Sequence, residues 1–192
     1  MPQHPGRPRL ASRELLQEAA FELFQVRGYR RTSVDLIART AGFSRATFFN
    51  VFRSKAELLW LETDILIADL RAHLATRPPI TGRDQLHAEL RSFAAGIASG
   101  SIPWSLQNWE LLGADDELVA SGATRVLALH DALRHALLRG GARETAASAD
   151  VAVTAALVIT ALRSWIDAGV HRGSLTQHLT PALARVESPV AL

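Results

Sequence analysis

Ser44, Arg45, Thr47 and Asn50 are the residues of this chain whose types and spacing best suit chemistry on a ligand. On a helix they share an exposed face of short hydroxyls, one forked guanidinium and one amide. None of the glutamates that usually decorate a solvated face is present. Groups of this kind match phosphate oxygens and the donor and acceptor pattern of base edges. Arg53 and Lys55 follow closely, and Arg27, Arg30, Arg31 and Arg39 precede. The start of such a helix also turns free N–H groups and a positive dipole end outward, which phosphates favour. The chemistry is recognition of a polyanion.

Charge along the chain agrees. The 192 residues carry a net charge of +2. Residues 1–60 hold ten basic and five acidic side chains, whereas residues 61–192 hold eleven and fourteen. A basic N-terminal third on an acidic remainder points to nucleic acid at one end. Catalytic readings find little support. There is no cysteine, so there is no thiol nucleophile and no thiolate metal site. Phosphate-binding glycine loops, H-E-x-x-H and G-x-S-x-G are all missing. His130 and His135, five residues apart, point to different faces of a helix, and neither a metal nor a cofactor is expected. Asp115-Asp116-Glu117 stands at a helix start, where acidic side chains complement the dipole.

The elements that must position the reading face follow from periodicity. Leu15, Leu16, Ala19, Ala20, Leu23 and Phe24 form one apolar stripe of a first helix, about 13–27, with Ser12 as its cap and Gly28 as its end. Ser33 caps a second, short helix with Val34, Ile37 and Ala38 inward. Ala41-Gly42-Phe43 is a tight turn, and Ser44 caps the third helix, to about Asn50 or Val51. Two short helices joined by such a turn are the geometry of a helix-turn-helix. Phe43, Phe48, Phe49 and Phe52 read as core of this small unit. Ser54-Lys55-Ala56-Glu57 is a capping box opening a long fourth helix to about His73. Arg77-Pro78-Pro79-Ile80-Thr81-Gly82 is a break, and helices are expected at about 83–99, 103–113, 116–139, 146–169 and 175–186. No stretch reads as strand, so the fold class is all-α. Met1 to Leu10 lacks the apolar run of a secretory signal. The near-apolar run Val151 to Leu162 is short for a bilayer span. A soluble, cytoplasmic protein is expected.

Residues 10–60 resemble the N-terminal domain of the tetracycline-repressor (TetR) family of bacterial regulators. The residues that carry the resemblance are Ala19-Ala20, Leu23-Phe24, Gly28-Tyr29, Thr32-Ser33, Ile37-Ala38 and Ala41-Gly42-Phe43-Ser44, then Thr47-Phe48-Phe49, Phe52, Ser54-Lys55 and Leu58. It implies a helix-turn-helix at 33–52, within a DNA-binding domain of residues 10–75 that includes the linking helix. A flexible basic arm of residues 1–9, with Arg7 and Arg9, precedes it. A ligand-binding and dimerisation domain of residues 76–192 follows. The implied DNA contacts are Thr32, Ser33, Ser44, Arg45, Thr47, Phe48, Asn50, Arg53 and Lys55. Arg45 would read a base edge, by preference guanine, Thr47 would bond a phosphate, and Lys55 would pair with the backbone where the fourth helix starts. Many members have Tyr where this chain has Phe49, and His where it has Val51; one common phosphate contact is therefore missing. Tyr29 reads equally as packing or as a phosphate contact.

The resemblance further implies a homodimer on palindromic double-stranded DNA, a repressor released by a small apolar effector. Ala152, Val153, Ala156, Ile159 and Thr160, with Leu179 and Leu183 on the last helix, would make the dimer interface. Phe93, Trp104, Asn108, Trp109, His130 and Trp165 would line the effector pocket. The rival reading is a helical homodimer that acts through protein partners and has weak or lost specific DNA binding.

Overall fold

A computed structural model describes residues 9–98, 100, 102–108 and 115–187. Among these every regular element is helical. The helices are α1 (Arg9–Arg27), α2 (Val34–Thr40), α3 (Arg45–Val51), α4 (Leu61–Thr76), α5 (Arg83–Ala95), α6 (Trp104–Gln107), α7 (Asp115–Arg139), α8 (Glu144–Asp167) and α9 (Leu175–Glu187). Short 3-10 turns occupy Lys55–Trp60 and Gly169–His171. The chain divides into two compact units.

The first unit comprises residues up to Leu61 together with Trp104–Gly122. Its core joins Leu16, Ala20 and Phe24 of α1 to Ile37 and Ala38 of α2, Phe48 of α3, and Tyr29, Phe52, Leu58 and Leu59. Packing of the aromatic side chains is close: the Phe24 and Tyr29 rings lie 4.9 Å apart, and Phe21 stacks on Trp104 at 4.5 Å. Burying each such ring contributes roughly 1.5–3 kcal/mol. Gly42 turns the chain between α2 and α3 with φ of 76°, a conformation that costs glycine little and other residues more.

The second unit comprises residues 62–103 and 123–192. Leu74, Leu86, Leu90, Leu133, Leu137, Val151, Ala155, Trp165, Leu179 and Leu183 belong to its core, and α9 packs on α5 and α8. The Arg139 guanidinium donates to the carbonyls of Leu74 and Ala75 at 2.6 and 2.7 Å, satisfying acceptors left open at the end of α4. Gly140 is required by a close approach, since a Cβ there would sit 1.9 Å from the Ile80 carbonyl oxygen.

Local expectations shift in three places. α1 starts at Arg9, so Ser12 is buried inside the helix and Arg9 belongs to the helix, not to an arm; Arg7 lies outside the described residues. Ser54 makes no side-chain cap; Glu57 instead accepts from the Arg53 N–H at 2.7 Å, and a 3-10 turn precedes α4. The division between units falls at Leu61, before the Pro78-Pro79 break, and residues 104–122 group with the N-terminal unit.

Candidate nucleic-acid interface

α3 has a buried side and an open side, and its sequence sets both. Phe48 is fully buried and meets Phe52 at 5.6 Å between ring centroids. With Phe48 inward, helical spacing turns Arg45, Ala46, Phe49 and Asn50 outward, and all four are exposed. Thr47 lies half-buried at the edge. Ser44 accepts from the Thr47 N–H at 3.1 Å, and the two hydroxyls are 2.9 Å apart. Ser33 caps α2 in the same way, accepting from the Leu36 N–H at 3.2 Å. Both caps are on exposed surface, and Arg53 is exposed just beyond α3.

Six of the nine expected DNA-contact residues, Ser33, Ser44, Arg45, Thr47, Asn50 and Arg53, therefore lie on accessible surface around α2 and α3. The other three do not. Phe48 is core. Thr32 is 1% exposed, and its hydroxyl donates to the Gly28 carbonyl at 2.9 Å, so no donor remains for DNA. Lys55 is half-buried; its ammonium donates to the carbonyls of Tyr29 and Thr32 at 2.8 and 3.2 Å and lies 3.8 Å from the centre of the Tyr29 ring. Its partners are the carbonyls of the α1–α2 turn, not the backbone where the fourth helix starts. Phe49 moves the other way: expected in the core, it is 44% exposed, because Phe48 and Phe52 already fill the inward positions.

Tyr29 is packed, not presented. It is 1% exposed, and its hydroxyl donates to the Glu117 carboxylate. Burial, then the bond and charge of Glu117, hold the phenol well above its ordinary range. Burial lowers Lys55, and the negative charge of Glu117 partly opposes that. The sequence marked Glu117 only as part of an acidic helix start; its pairing with Tyr29, 88 residues away, had no local signal. Asp35 was also missed as a site residue: it sits ten residues before Arg45 and accepts from its guanidinium at 2.9 Å across the turn.

The described members of the expected pocket set are divided between the two units. Trp104 stacks on Phe21, and Asn108 donates to the Trp104 carbonyl at 2.9 Å, both within the first unit. Trp165 is buried in the second unit's core and donates to the Gly173 carbonyl at 3.0 Å. His130 is half-buried, and Trp109 lies outside the described residues. Phe93 lines a groove, of about 470 Å³, with Leu66, Asp69, His73, Arg77 and Ile97. Among the described residues no cluster of His, Cys, Asp or Glu could hold a metal ion.

Of the expected dimer residues, Ala152, Val153, Ala156, Ile159 and Thr160 form an exposed face of α8. Leu179 and Leu183 are 3% and 0% exposed in their own unit's core, spent on intrachain packing. α8 is 24 residues long and, by length and composition, apolar enough to cross a membrane, longer than the Val151–Leu162 run suggested.

Residues 16–60 match the bacterial regulatory proteins, tetR family. A stretch of 89 residues is 36% identical to a protein of Mycobacterium tuberculosis described as a mycofactocin biosynthesis transcriptional regulator, MftR; the match covers 46% of this chain and 45% of that relative, under half the length of each. The fold is similar to that of Thermus thermophilus FadR, a TetR-family transcriptional repressor solved with lauroyl-CoA, at a TM-score of 0.57 and 24% identity over 94% of this chain and 95% of that one. It is also similar to SmeT, the repressor of a Stenotrophomonas maltophilia multidrug efflux pump, at 0.54 and 21% over 92% and 89%. SmeT has been solved with triclosan as well. At these identities the likeness speaks to the fold.

Proposed function

We propose, from the match of residues 16–60 to the tetR family of bacterial regulatory proteins, that this chain is a cytoplasmic repressor that binds a palindromic operator as a homodimer and is released by a small, largely apolar effector. The observation that carries the reading is the two-sided α3. Its inward side is fixed by Phe48, and its outward side offers Arg45 and Asn50, flanked by Ser44 and Arg53. Those groups suit base edges and phosphates in a major groove. One such helix binds weakly, whereas a two-fold pair set roughly 34 Å apart reads two half-sites at once.

The exposed face of α8 supports pairing. Only 28% of its most apolar stretch is buried within the chain, and Ala152 and Ala156 permit close helix approach. We read this face as one that meets α8 of a second copy, not lipid. α9 would contribute its exposed Thr180, Pro181 and Ala184 in place of Leu179 and Leu183. The groove lined by Leu66, Phe93 and Ile97 together with Asp69, His73, Arg77 and Ser92 mixes apolar and polar surface, which suits an effector with an apolar body and a polar end. Fatty-acyl and phenolic ligands on similar folds suggest the effector's chemistry. Release follows if the effector binds more tightly to the arrangement whose reading helices do not match the operator.

The test is binding of purified protein to DNA from upstream of its own coding region, at two salt concentrations, for wild type and Arg45→Ala. A dimer bound to one palindromic fragment, weakened steeply by salt and by the substitution, supports the reading. Equal weak binding to all fragments, unchanged by Arg45→Ala, removes it.

A further inference from the structure

Arg45 is gripped on two sides by its own domain. Its Nη1 donates to Asp35 Oδ2 at 2.9 Å, and its guanidinium carbon stands 5.1 Å from the centre of the Phe49 ring. Asp35 comes from the first turn of α2, and Phe49 lies four residues along α3, one helical turn from Arg45. The Arg45 and Asp35 side chains are 60% and 48% exposed. An ion pair that open adds little to stability, so folding does not account for the arrangement.

Its effect on the guanidinium does. An unrestrained arginine loses considerable rotamer freedom on binding and bonds phosphates and bases alike. Here the carboxylate takes one edge and the ring lies against the group, leaving the remaining N–H groups on an exposed surface. We propose that Asp35 and Phe49 are positioning residues that determine specificity, holding Arg45 as a fixed reader of guanine O6 and N7. The inference rests on the reading of α3 as the groove helix and deepens it. Asp35 acts twice. It orients the guanidinium, and its negative charge makes that surface a poorer partner for phosphate, so it lowers indiscriminate affinity while raising discrimination. A merely structural residue would not move those two quantities in opposite directions.

The experiment selects binding sites from a randomised duplex library, with sequencing, and measures affinity for random-sequence duplex at one fixed salt concentration. Wild type, Asp35→Ala, Asp35→Asn and Phe49→Ala are compared, each checked for an unchanged thermal unfolding profile. Wild type is expected to select guanine at one position per half-site. Asp35→Ala should lower that preference at least about fivefold, a part of what a bidentate arginine–guanine pair supplies, while binding random duplex more tightly. Asp35→Asn keeps an acceptor oxygen and should retain most of the preference, yet still bind random duplex more tightly. Phe49→Ala should loosen the preference without that gain. If wild type selects a sequence and Asp35→Ala selects the same one with equal or sharper preference, the positioning role is overturned and the DNA-binding reading stands. If wild type selects no sequence, the DNA-binding reading falls and takes this inference with it.

Discussion

Two clusters in the first unit are built from the same three kinds of group. In one, the Arg45 cation lies 5.1 Å from the Phe49 ring beside the Asp35 carboxylate. In the other, the Lys55 cation lies 3.8 Å from the Tyr29 ring, and Tyr29 donates to the Glu117 carboxylate. Chemistry alone would give both to DNA. Placement separates them. The Arg45 cluster is open, with no backbone group depending on it. The Lys55 cluster is closed over two carbonyls of the α1–α2 turn: its ammonium donates to Thr32, and to Tyr29 alongside the Thr32 N–H at 3.2 Å. The first can exchange its partners for a ligand, and the second cannot do so without leaving polar groups unpaired. A cation beside an aromatic ring and an acid is therefore available to a ligand or held as a fastening according to what it covers.

The adjacent phenylalanines of α3 give the largest expected effect. Phe48→Ala removes a fully buried ring and should cost about 3–5 kcal/mol of unfolding free energy. Phe49→Ala, at 44% exposure, should cost under about 1 kcal/mol. Chemical denaturation of the two variants checks this; equal losses would abolish the division between open and closed faces. Lys55→Met comes next. It strands the Thr32 carbonyl, leaves the Tyr29 carbonyl with the Thr32 N–H alone, and should cost about 1–3 kcal/mol. A stability near wild type would mean that water replaces the ammonium freely and that Lys55 is available to DNA after all.

The limits of legibility follow the same division. Short-range features were readable: the apolar stripe of α1, the caps at Ser33 and Ser44, and the turn at Gly42 all depend on neighbours within about four residues. The helical character of the chain and the outward direction of Arg45 and Asn50 came with them. Phe49 was readable in principle, since i and i+4 share a face and it must lie beside Arg45; treating four phenylalanines as equally core ignored that. Lys55 and Thr32 were misassigned because their fate depends on the fold around the α1–α2 turn, which no local pattern reports. The pairings of Glu117 and Asp35 became visible only through tertiary contacts. Leu179 and Leu183 show the same problem in the second unit: an apolar stripe marks what is buried, not whether a partner or the chain itself buries it.

Tyr29→Phe sharpens the comparison through pH. The folded phenol is held above its ordinary value of 10.0 by burial and by Glu117. Above pH 10.0 the unfolded state loses this proton while the folded state keeps it, so the folded state binds more protons and stability falls as pH rises. The wild type should lose stability progressively beyond pH 10.0, and Tyr29→Phe should lose less. Near neutral pH the substitution removes one hydrogen bond and should cost about 1 kcal/mol. Thermal unfolding across pH 7 to 11 measures both, and parallel profiles for the two proteins would place Tyr29 outside the fastening.

The smallest effect on stability is expected at Arg45, and its smallness carries the comparison. Its pair with Asp35 is solvent-exposed, its contact with Phe49 is on the surface, and its removal leaves no buried group unpaired. Arg45→Ala should therefore change unfolding free energy by under about 0.5 kcal/mol. The same substitution should weaken binding to the preferred DNA by about 1–3 kcal/mol, the value of a bidentate base contact. Lys55→Met should invert that ratio, with a large loss of stability and a loss of DNA affinity only to the extent that α2 and its Ser33 cap shift. Measuring both quantities on both variants places each residue on one side or the other. If Arg45→Ala destabilises the fold as much as Lys55→Met does, then the Arg45 cluster is a second fastening, and the groups that read DNA lie elsewhere on the surface around α2 and α3.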